Sequence, residues 1–545
     1  MTDLPKQRES FFQRGLIYFA IVLVVAIIIG VFVTLRLNNT TPTQSADYIE
    51  DLAKDQVTVS MLGELQKTYP LSEFDTDSQQ INNNIFEGLT VLRHGRMEPA
   101  LAESWTNPNQ LTWRIKLRKD VKFHSGHTFK ATDVKYTFEE AKKDAAKKTP
   151  TWMASYIALR VDSINVIDEN TVELKTAQPD PTLLQWLTTL YVVSEEQVKR
   201  DGIGKAVGTG PYKLVKHDPE KRIINLEANE NYWGGAPKVK KLSYRQYDDE
   251  EQIMGAIEKG EADIGVTTNK QAAEKLRAKG FQVITSGLSD VSYLAVDVNN
   301  DKSKYVDVKK NPLKDVRVRR AIWLGLDIPS LLKNANLEGE ELSQFANKDL
   351  IGYNSSLKKP ARNLERAKSL ITEAGYPNGF KVTVETPFPR KAVVEEIKRQ
   401  LAQIGITVEL KVHEEQATFF GKLGTGDFAA FSLGYTPDTL DSTDLLNSFV
   451  HTPTQGKGES NFVKYSNQEL DGLLDKASTT FSTKDRAEII QEVHKKFVDQ
   501  LPFIPLYTRN GFFVIKDDIA FKPAPFGFIF GFELSGRQKA PSTAQ

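Results

Sequence analysis

The chain has 545 residues, too many for one ordinary hydrophobic core, so we expect two or more packed units. Its 71 Lys and Arg residues balance 71 Asp and Glu residues, and this neutrality argues against a surface that binds nucleic acid. Cysteine is absent, which excludes disulfides, thiolate nucleophiles, cysteine-ligated zinc and a lipid-modified N-terminal cysteine.

The first element is an uncharged apolar segment at residues 15–35. About 20 apolar residues are enough to cross a bilayer. Lys6, Arg8 and Arg14 precede the segment, so the positive-inside rule places residues 1–14 in the cytoplasm. The alternative is a cleaved signal peptide, whose apolar region would be shorter, about 7–15 residues. We predict an uncleaved single-pass anchor in the cell membrane, with the rest of the chain outside the cytoplasm.

A linker and a strand-rich half follow the anchor. Residues 36–54 are mostly polar and aperiodic, which predicts a linker. Apolar and polar residues then alternate with a period of two, which predicts strands within 111–123, 171–177 and 211–229. Turn residues at 218–221 split the last of these segments into a hairpin.

The second half alternates helix with strand. Asn363 can cap a helix that Gly375 ends, and strands are predicted at 380–386 and 406–412 with a helix between them. A strand, helix and strand at this spacing form a βαβ unit, which implies a parallel sheet and the α/β class. Residues 429–435 are a further candidate strand of that sheet.

The loop after strand 429–435 is the first candidate site. Ligands of open α/β sheets lie beyond the carboxyl ends of the strands. Asp438, Asp441 and Asp444 lie in this loop and offer carboxylates for a cationic group such as the α-ammonium of a peptide. In the alternative interpretation, Asp438 and Asp441 only shape turns or cap the helix that starts near Asp444. These residues alone favour neither interpretation.

Catalytic and metal signatures are absent or weak. The sequence has no nucleophile elbow, zinc-protease motif, Walker A loop or dinucleotide fingerprint, so we predict no enzyme and no cofactor. His124 and His127 form an H-x-x-H pattern, but they flank a glycine and have no second ligand pair nearby in sequence. We therefore predict no metal site.

Five segments occur in the order typical of one family. They are NIFEGLTVLRHGRMEPALAESW (84–105), LTWRIKLRKDVKFHSGHTFKATDVKYTFE (111–139), VGTGPYKLVKHDPEKRIINLEANENYWGGAPKVKKL (207–242), the stretch 291–327 and LPFIPLY (501–507). Together they resemble the extracellular solute-binding proteins of ABC importers, in the family 5 group that handles oligopeptides, dipeptides and nickel complexes. The similar blocks extend from about residue 57 to 530.

The resemblance implies a two-lobed periplasmic-binding-protein-like fold with an extra N-terminal subdomain, preceded here by the transmembrane helix. Lobe one would comprise residues 55–298, with the subdomain inserted. Lobe two would comprise 299–496. Residues 497–545 would return to lobe one and end in a C-terminal tail. A ligand would be enclosed when the lobes close.

The resemblance also assigns roles in the candidate loop. In peptide binders of the family, a Gly-Trp-x-x-Asp segment runs beside the peptide, and its Asp holds the α-ammonium. The matching residues here are Gly434, Tyr435, Thr436 and Asp438. Tyr435 replaces the tryptophan and keeps an aromatic wall of different size. Pro437 has no N–H group to donate to a ligand carbonyl.

Two further residues are candidates for the cleft. Arg390 precedes the βαβ helix and is the best-placed cation for a peptide carboxylate, although it could equally be a solvated surface residue. Tyr293 could line the cleft near the crossover, with ordinary core packing as its alternative.

The sequence thus predicts a membrane-anchored, extracytoplasmic solute-binding protein. It would capture short peptides between two lobes and deliver them to the permease subunits of an ABC transporter. The alternatives are a binder of a nickel chelate, haem or sugar, or a receptor or chaperone module on the same fold.

Overall fold

The computed structural model describes residues 44–45, 48–63, 70–71, 76–93, 95–147, 152–287, 290–454, 456–523 and 527–539. The predicted cytoplasmic segment, the span at 15–35 and the start of the linker lie outside these residues. Within them, no helix combines the length and the apolar character that crossing a membrane requires.

The strands of the described residues follow one another in chain order. They are β1 Gln44–Ser45, β2 Tyr48–Leu52, β3 Lys54–Leu62, β4 Thr90–Arg93, β5 Arg96–Pro99, β6 Ala102–Asn109, β7 Thr112–Leu117, β8 Ser163–Asp168, β9 Thr171–Lys175, β10 Tyr212–Asp218, β11 Ile223–Ala228, β12 Val239–Tyr247, β13 Ile264–Thr267, β14 Gln282–Gly287, β15 Val291–Val296, β16 Gly339–Glu341, β17 Phe380–Pro387, β18 Ile406–His413, β19 Ala430–Tyr435, β20 Phe503–Ile515, β21 Ile519–Ala520 and β22 Ser535–Lys539.

The helices are interspersed among these strands. They are α1 Thr76–Ile85, α2 Ala131–Ala145, α3 Met153–Ala158, α4 Leu183–Trp186, α5 Glu195–Asp201, α6 Glu250–Lys259, α7 Lys270–Arg277, α8 Val316–Gly325, α9 Ile328–Asn334, α10 Leu364–Glu373, α11 Lys391–Leu401, α12 Gln416–Thr425, α13 Ser442–Phe449, α14 Gln468–Ser478 and α15 Thr483–Gln500. Single 3-10 turns occur at Pro312–Lys314, Phe388–Arg390, Ala402–Ile404 and Gly531–Glu533.

One large sheet extends through both lobes, in the order β10-β11-β12-β3-β13-β20-β15-β19-β17-β18. Strand β20 belongs to both lobes. Its C-terminal part pairs with β13 and β14 of lobe one, and its N-terminal part pairs with β15 of lobe two. The long strand therefore acts as one of the two connections between the lobes, and the segment between β14 and β15 is the other.

The strand partners change at positions different from those expected from the sequence. Every residue of β15 is buried, and the strand pairs with β19 and β20 of lobe two, although the sequence placed residues up to 298 in lobe one. In β20, residues 503–507 pair with β15 and residues 507–509 pair with β16, and pairing with β14 of lobe one begins at Asn510. Continuous apolar strands such as these give no local sign of which lobe buries them.

A second sheet forms a separate subdomain of lobe one. Strands β6-β7-β9-β8 are antiparallel, and α2 packs against them. The alternation predicted for 111–123 places Trp113, Ile115 and Leu117 in the core of this subdomain. Apolar residues at every second position meet the helix, which explains why this unit has a hydrophobic core of its own.

Part of the predicted linker is structured. Residues 48–52 form strand β2, which pairs with β22 near the C-terminus. The guanidinium of Arg537 lies 3.9 Å from the centre of the Tyr48 ring. This cation–π contact and the strand pairing join both ends of the described chain to lobe one, so the segment is not free linker. The sequence misjudged it because the pairing partner is nearly 500 residues away.

Lobe two follows the predicted βαβ plan. Strands β17 and β18 are parallel, with α11 between them, and β19 is parallel to β17. Val393, Ile397 and Leu401 of α11 are buried, which confirms the helical face predicted from their spacing. The predicted hairpin is also confirmed, since β10 and β11 pair antiparallel across the turn. The carboxyl ends of β17, β18 and β19 therefore meet at one edge of the sheet.

His494 in α15 is fully buried, and neither ring nitrogen has a hydrogen-bond partner among the described residues. Burial disfavours the charged ring and lowers the pKa of His494 to about 3. The unfolded chain takes up a proton near pH 6.5, so the stability from neutral His494 is present above that pH and falls as the pH drops toward 3. Each pH unit in this window costs about 1.4 kcal/mol.

We therefore expect His494→Leu to reduce the acid sensitivity of the protein. Between pH 6.5 and 4.5 the free energy of unfolding should fall by about 3 kcal/mol less in the variant than in the unaltered protein. Urea unfolding at the two pH values measures this difference. His127→Gln, at a partly exposed side chain paired with Glu196, is the control. Equal acid sensitivity of His494→Leu and the unaltered chain would contradict the prediction.

Candidate functional site

The loop that follows β19 lies between the two lobes. It begins at the sheet edge where the parallel strands of lobe two end, as the sequence predicted. Across the cleft, the backbone N–H of Leu440 donates a hydrogen bond of 2.8 Å to Oε1 of Gln185 in lobe one. The loop is therefore positioned by lobe two and contacted by lobe one.

Asp438 and Tyr435 form the polar centre of this loop. The Tyr435 hydroxyl donates a hydrogen bond to Oδ2 of Asp438, and its ring packs edge-on against Phe449 at 4.8 Å between ring centres. The Asp438 side chain keeps contact with water, yet the surrounding protein is close enough that burial raises the pKa of its carboxyl. The hydrogen bond from Tyr435 and the positive charge of Arg160 only partly offset this rise. A cation beside Asp438 would offset the free-energy cost of burying the charged carboxylate.

The remaining residues of the matched motif differ in their surroundings. Gly434 lies opposite Ser292 in the antiparallel pairing of β15 with β19. Thr436 is exposed and Pro437 is buried. A Cβ atom at position 434 would come within 2.7 Å of Nη1 of Arg390, so the absence of a side chain makes room for this guanidinium.

Arg390 lies at the carboxyl end of β17 and is half-buried. Its Nη2 donates a hydrogen bond of 2.9 Å to Oγ of Ser292 and lies 3.4 Å from the Tyr507 hydroxyl. Its Nε is buried and has no partner among the described residues. The guanidinium thus rests on strands β15, β19 and β20, and it retains an unused donor beside the candidate loop.

Tyr293 belongs to the core of lobe two. Its ring is fully buried and makes edge-to-face contacts with four phenylalanines, Phe345, Phe431, Phe449 and Phe503. Its hydroxyl has no hydrogen-bond partner in the part of the chain that the structure describes. Burial raises the pKa of this phenol. The contacts match the packing alternative considered for Tyr293, and a role in the cleft stays a prediction.

The other two aspartates of the loop have structural partners. Asp441 caps α13 by accepting a hydrogen bond from the N–H of Thr443, and it forms a buried ion pair of 2.8 Å with Arg486. Asp444, in the first turn of α13, accepts hydrogen bonds from Arg160 of lobe one and from Thr439. The capping interpretation therefore holds for Asp441, and Asp444 contacts the opposite lobe.

Lobe one contributes residues that the sequence analysis did not identify. Arg160 lies just after α3, and its Nη1 is 2.7 Å from Oδ2 of Asp180. Its guanidinium stacks 4.5 Å from the ring centre of Trp186. These residues form no local motif, and they approach the loop at 436–444 only because the lobes meet.

The two histidines of the H-x-x-H pattern have separate partners. His124 accepts a hydrogen bond of 3.3 Å from the N–H of Gly208 at Nδ1, and its Nε2 donates one of 2.9 Å to the carbonyl of Gly210. Burial lowers the pKa of His124 to about 4, consistent with a neutral ring in this role. His127 pairs with Glu196 instead. No group of three or more metal-ligating side chains occurs among the described residues.

Two α/β lobes, two connecting segments and a polar loop in the cleft between them define a bilobal solute-binding protein. The family model of bacterial extracellular solute-binding proteins, family 5 (middle part), matches residues 96–457. The chain therefore belongs to family 5 of the bacterial extracellular solute-binding proteins, the group that serves ABC importers.

Similar proteins are found among characterised relatives and solved structures. Heme-binding protein A of Haemophilus influenzae is 25% identical over 506 residues, 86% of this chain and 89% of that protein. The dipeptide-binding protein of Escherichia coli is 23% identical over 485 residues, 82% of this chain and 87% of the relative. The periplasmic binding protein DppA of Helicobacter pylori, solved in complex with the peptide STSA, superposes with a TM-score of 0.73 at 23% identity and covers 89% of this chain and 98% of its own.

Proposed function

We propose that this protein is a membrane-anchored extracytoplasmic receptor that captures short peptides between its lobes and delivers them to the permease of an ABC importer. The observation that carries the proposal is the exposed carboxyl of Asp438, which follows β19 and accepts a hydrogen bond from the Tyr435 hydroxyl. Burial by the surrounding protein raises the pKa of this carboxyl. A carboxylate that is costly to bury and remains accessible favours a ligand that brings a positive charge.

The ammonium end of the peptide would bind at Asp438. The hydroxyl of Tyr435 already fixes one carboxylate oxygen, so the other is oriented for a second donor. Charge-assisted hydrogen bonds of this kind are shorter and stronger than neutral ones. The aromatic ring of Tyr435 forms a wall beside the first peptide residue.

The carboxylate end would bind at Arg390. This guanidinium lies against Gly434, one residue before Tyr435, so both anchors belong to the same edge of the lobe-two sheet. The guanidinium is half-buried, so its accessible part would meet an anion while Nη2 keeps its hydrogen bond to Ser292. Asp438 and Arg390 would bind the two ends of one peptide, and their closeness favours peptides of a few residues. Binding through the peptide ends and backbone would not depend strongly on the identity of the side chains.

The membrane anchor would hold lobe one close to the bilayer. The predicted span ends at residue 35 and strand β1 begins at Gln44. The intervening eight residues, 36–43, reach at most about 28 Å when fully extended. A tether this short would raise the effective concentration of the protein beside a permease in the same membrane.

Other solutes remain alternatives to peptides. Heme-binding protein A is a relative of this chain, and nickel chelates and sugars were also considered from the sequence. A carboxylate at the centre of the loop repels the carboxylates of haem and of anionic chelates, which favours an ammonium ligand. A receptor or chaperone module on the same fold would bind peptides without transport. Import of a labelled peptide by cells, abolished when the gene is deleted, separates transport from these roles.

The chemistry of the ligand ends provides the direct test. We expect the full-length protein in detergent to bind tri-alanine, as measured by calorimetry. N-acetyl tri-alanine should bind at least about 30-fold more weakly, because acetylation removes the charge that Asp438 pairs with. Equal affinity for the free and acetylated peptides, or no binding of either, would refute the proposal.

Gly434→Ala tests the carboxylate anchor. The backbone at Gly434 suits any residue, but the new methyl group would meet Nη1 of Arg390 and displace the guanidinium. We expect affinity for tri-alanine to fall about tenfold, with little change for tri-alanine amide, which has no carboxylate to lose. Gly472→Ala, where a Cβ meets nothing within 4 Å, is the control. An equal loss for the acid and the amide would contradict a role of Arg390 in carboxylate binding.

A further inference from the structure

Arg160 of lobe one contacts both lobes at once. Its Nη1 lies 2.7 Å from Oδ2 of Asp180 in lobe one, and its Nη2 lies 3.0 Å from Oδ1 of Asp444 in lobe two. The ring of Trp186 supports the guanidinium from one side. The two terminal nitrogens of the planar Arg160 guanidinium therefore bridge two carboxylates. The single ammonium nitrogen of lysine cannot reproduce this geometry.

The bridge continues from Asp444 to the candidate ammonium anchor. Oδ2 of Asp444 accepts a hydrogen bond of 2.8 Å from the hydroxyl of Thr439, the residue next to Asp438. The hydroxyl of Thr182 in lobe one also reaches Oδ1 of Asp444, at 3.3 Å. Together with the bond from the Leu440 N–H to Gln185, these contacts attach the loop to lobe one directly beside Asp438.

The charges around this bridge are unequal. Asp180 and Asp444 both form ion pairs with Arg160, which carries a single positive charge. Asp438 is also close enough to interact electrostatically with Arg160. The nearby Asp441 already pairs with Arg486. The closed lobes therefore hold an excess of negative charge around Asp438, which adds to the attraction for a cationic ligand group.

We propose that Arg160 is a positioning residue for the ammonium subsite: it bridges Asp180 and Asp444, holds the lobes closed and fixes the loop that carries Asp438. The closing role of Arg160 is inferred from its ion pairs with both lobes. Its effect on ligand affinity rests on the proposed function, in which Asp438 holds the ammonium group of a peptide.

Closure can be measured without any ligand. The chain has no cysteine, so spin labels can be placed at Asp55→Cys in lobe one and Glu365→Cys in lobe two, both at strongly exposed side chains. Electron–electron double resonance on the full-length protein in detergent then reports the distance between the lobes. We expect Arg160→Gln to shift the distance distribution to longer values. Arg160→Lys should restore it only in part, since the compact ammonium of lysine lacks the two separate nitrogens with which the guanidinium reaches both aspartates.

Arg114→Gln is the matched control. Arg114 pairs with Glu173 inside the subdomain of lobe one, so its loss removes an ion pair without touching the other lobe. Asp444→Asn should shift the distance as Arg160→Gln does. The double variant should shift it no further than either single variant, because both remove the same bridge. Unchanged distances in Arg160→Gln, or additive shifts in the double variant, would overturn the proposal.

A kinetic measurement separates positioning from general stability. In the unlabelled Arg160→Gln variant, the dissociation rate of tri-alanine should rise about tenfold with little change in the association rate, since the lost contacts form after encounter. A change confined to the association rate would overturn the positioning role. If the unaltered protein does not bind tri-alanine at all, the peptide proposal fails, whereas the distance measurement still decides whether Arg160 closes the lobes.

Discussion

Asp438→Asn is expected to weaken the binding of tri-alanine by at least about 30-fold. Removing one partner of an enclosed charge pair in a binding site costs about 2–5 kcal/mol, and 1.4 kcal/mol corresponds to a factor of ten. Asparagine keeps the size of the side chain and can still accept the hydrogen bond from Tyr435. Calorimetric titration of the two proteins measures the effect.

The same substitution should leave the unliganded protein at least as stable as before. Burial raises the pKa of Asp438, which means that the surroundings disfavour its charge when no cation is present. Loss of affinity together with an unchanged or higher melting temperature would identify a binding residue rather than a structural one. Asp427→Asn, at an exposed ion pair of lobe two, is the control. Undiminished affinity in Asp438→Asn would contradict the ammonium anchor.

Arg486→Ala is expected to destabilise lobe two by about 3–5 kcal/mol. Arg486 and Asp441 form an ion pair whose side chains are 3% and 0% exposed, so removal of the arginine leaves a buried carboxylate without its counter-charge. The guanidinium also donates a hydrogen bond to the carbonyl of Thr480. Urea unfolding of the variant and of the unaltered protein measures the loss.

A double variant isolates the charge from the packing. Asp441→Asn combined with Arg486→Met removes both charges, while asparagine can still cap α13. We expect this variant to recover a large part of the stability lost in Arg486→Ala, because a buried charge pair can be replaced by neutral groups at little cost. A loss of less than about 1 kcal/mol in Arg486→Ala would show that the pair is not a principal support of the loop.

The elements that carry a clear local period were predictable. Strand β19, the unit β17–α11–β18 and the hairpin β10–β11 each show their period in a short window of sequence, and the structure places them there. The register of β2 with β22 and the membership of β15 in lobe two were not predictable. Both depend on pairing between distant segments, which leaves no periodic pattern in either strand.

The candidate site was only partly predictable for a similar reason. Asp438 stood out because it follows a strand of the parallel sheet and matches a family motif, and the structure places it in the cleft. Arg160, Asp180 and Gln185 lie more than 250 residues earlier, in another lobe, and become part of the site only where the lobes meet. A single sequence contains no sign of such a contact, so the lobe-one part of the candidate site could be identified only from the fold.

The central claim is that the cleft between the lobes holds peptides by their ammonium end. Native mass spectrometry of the full-length protein, purified from cells without added ligand, tests it most directly. We expect a mixture of bound masses that fragment as short peptides and that are missing from Asp438→Asn prepared in the same way. A single bound species that is not a peptide, or peptides retained equally by Asp438→Asn, would contradict the claim.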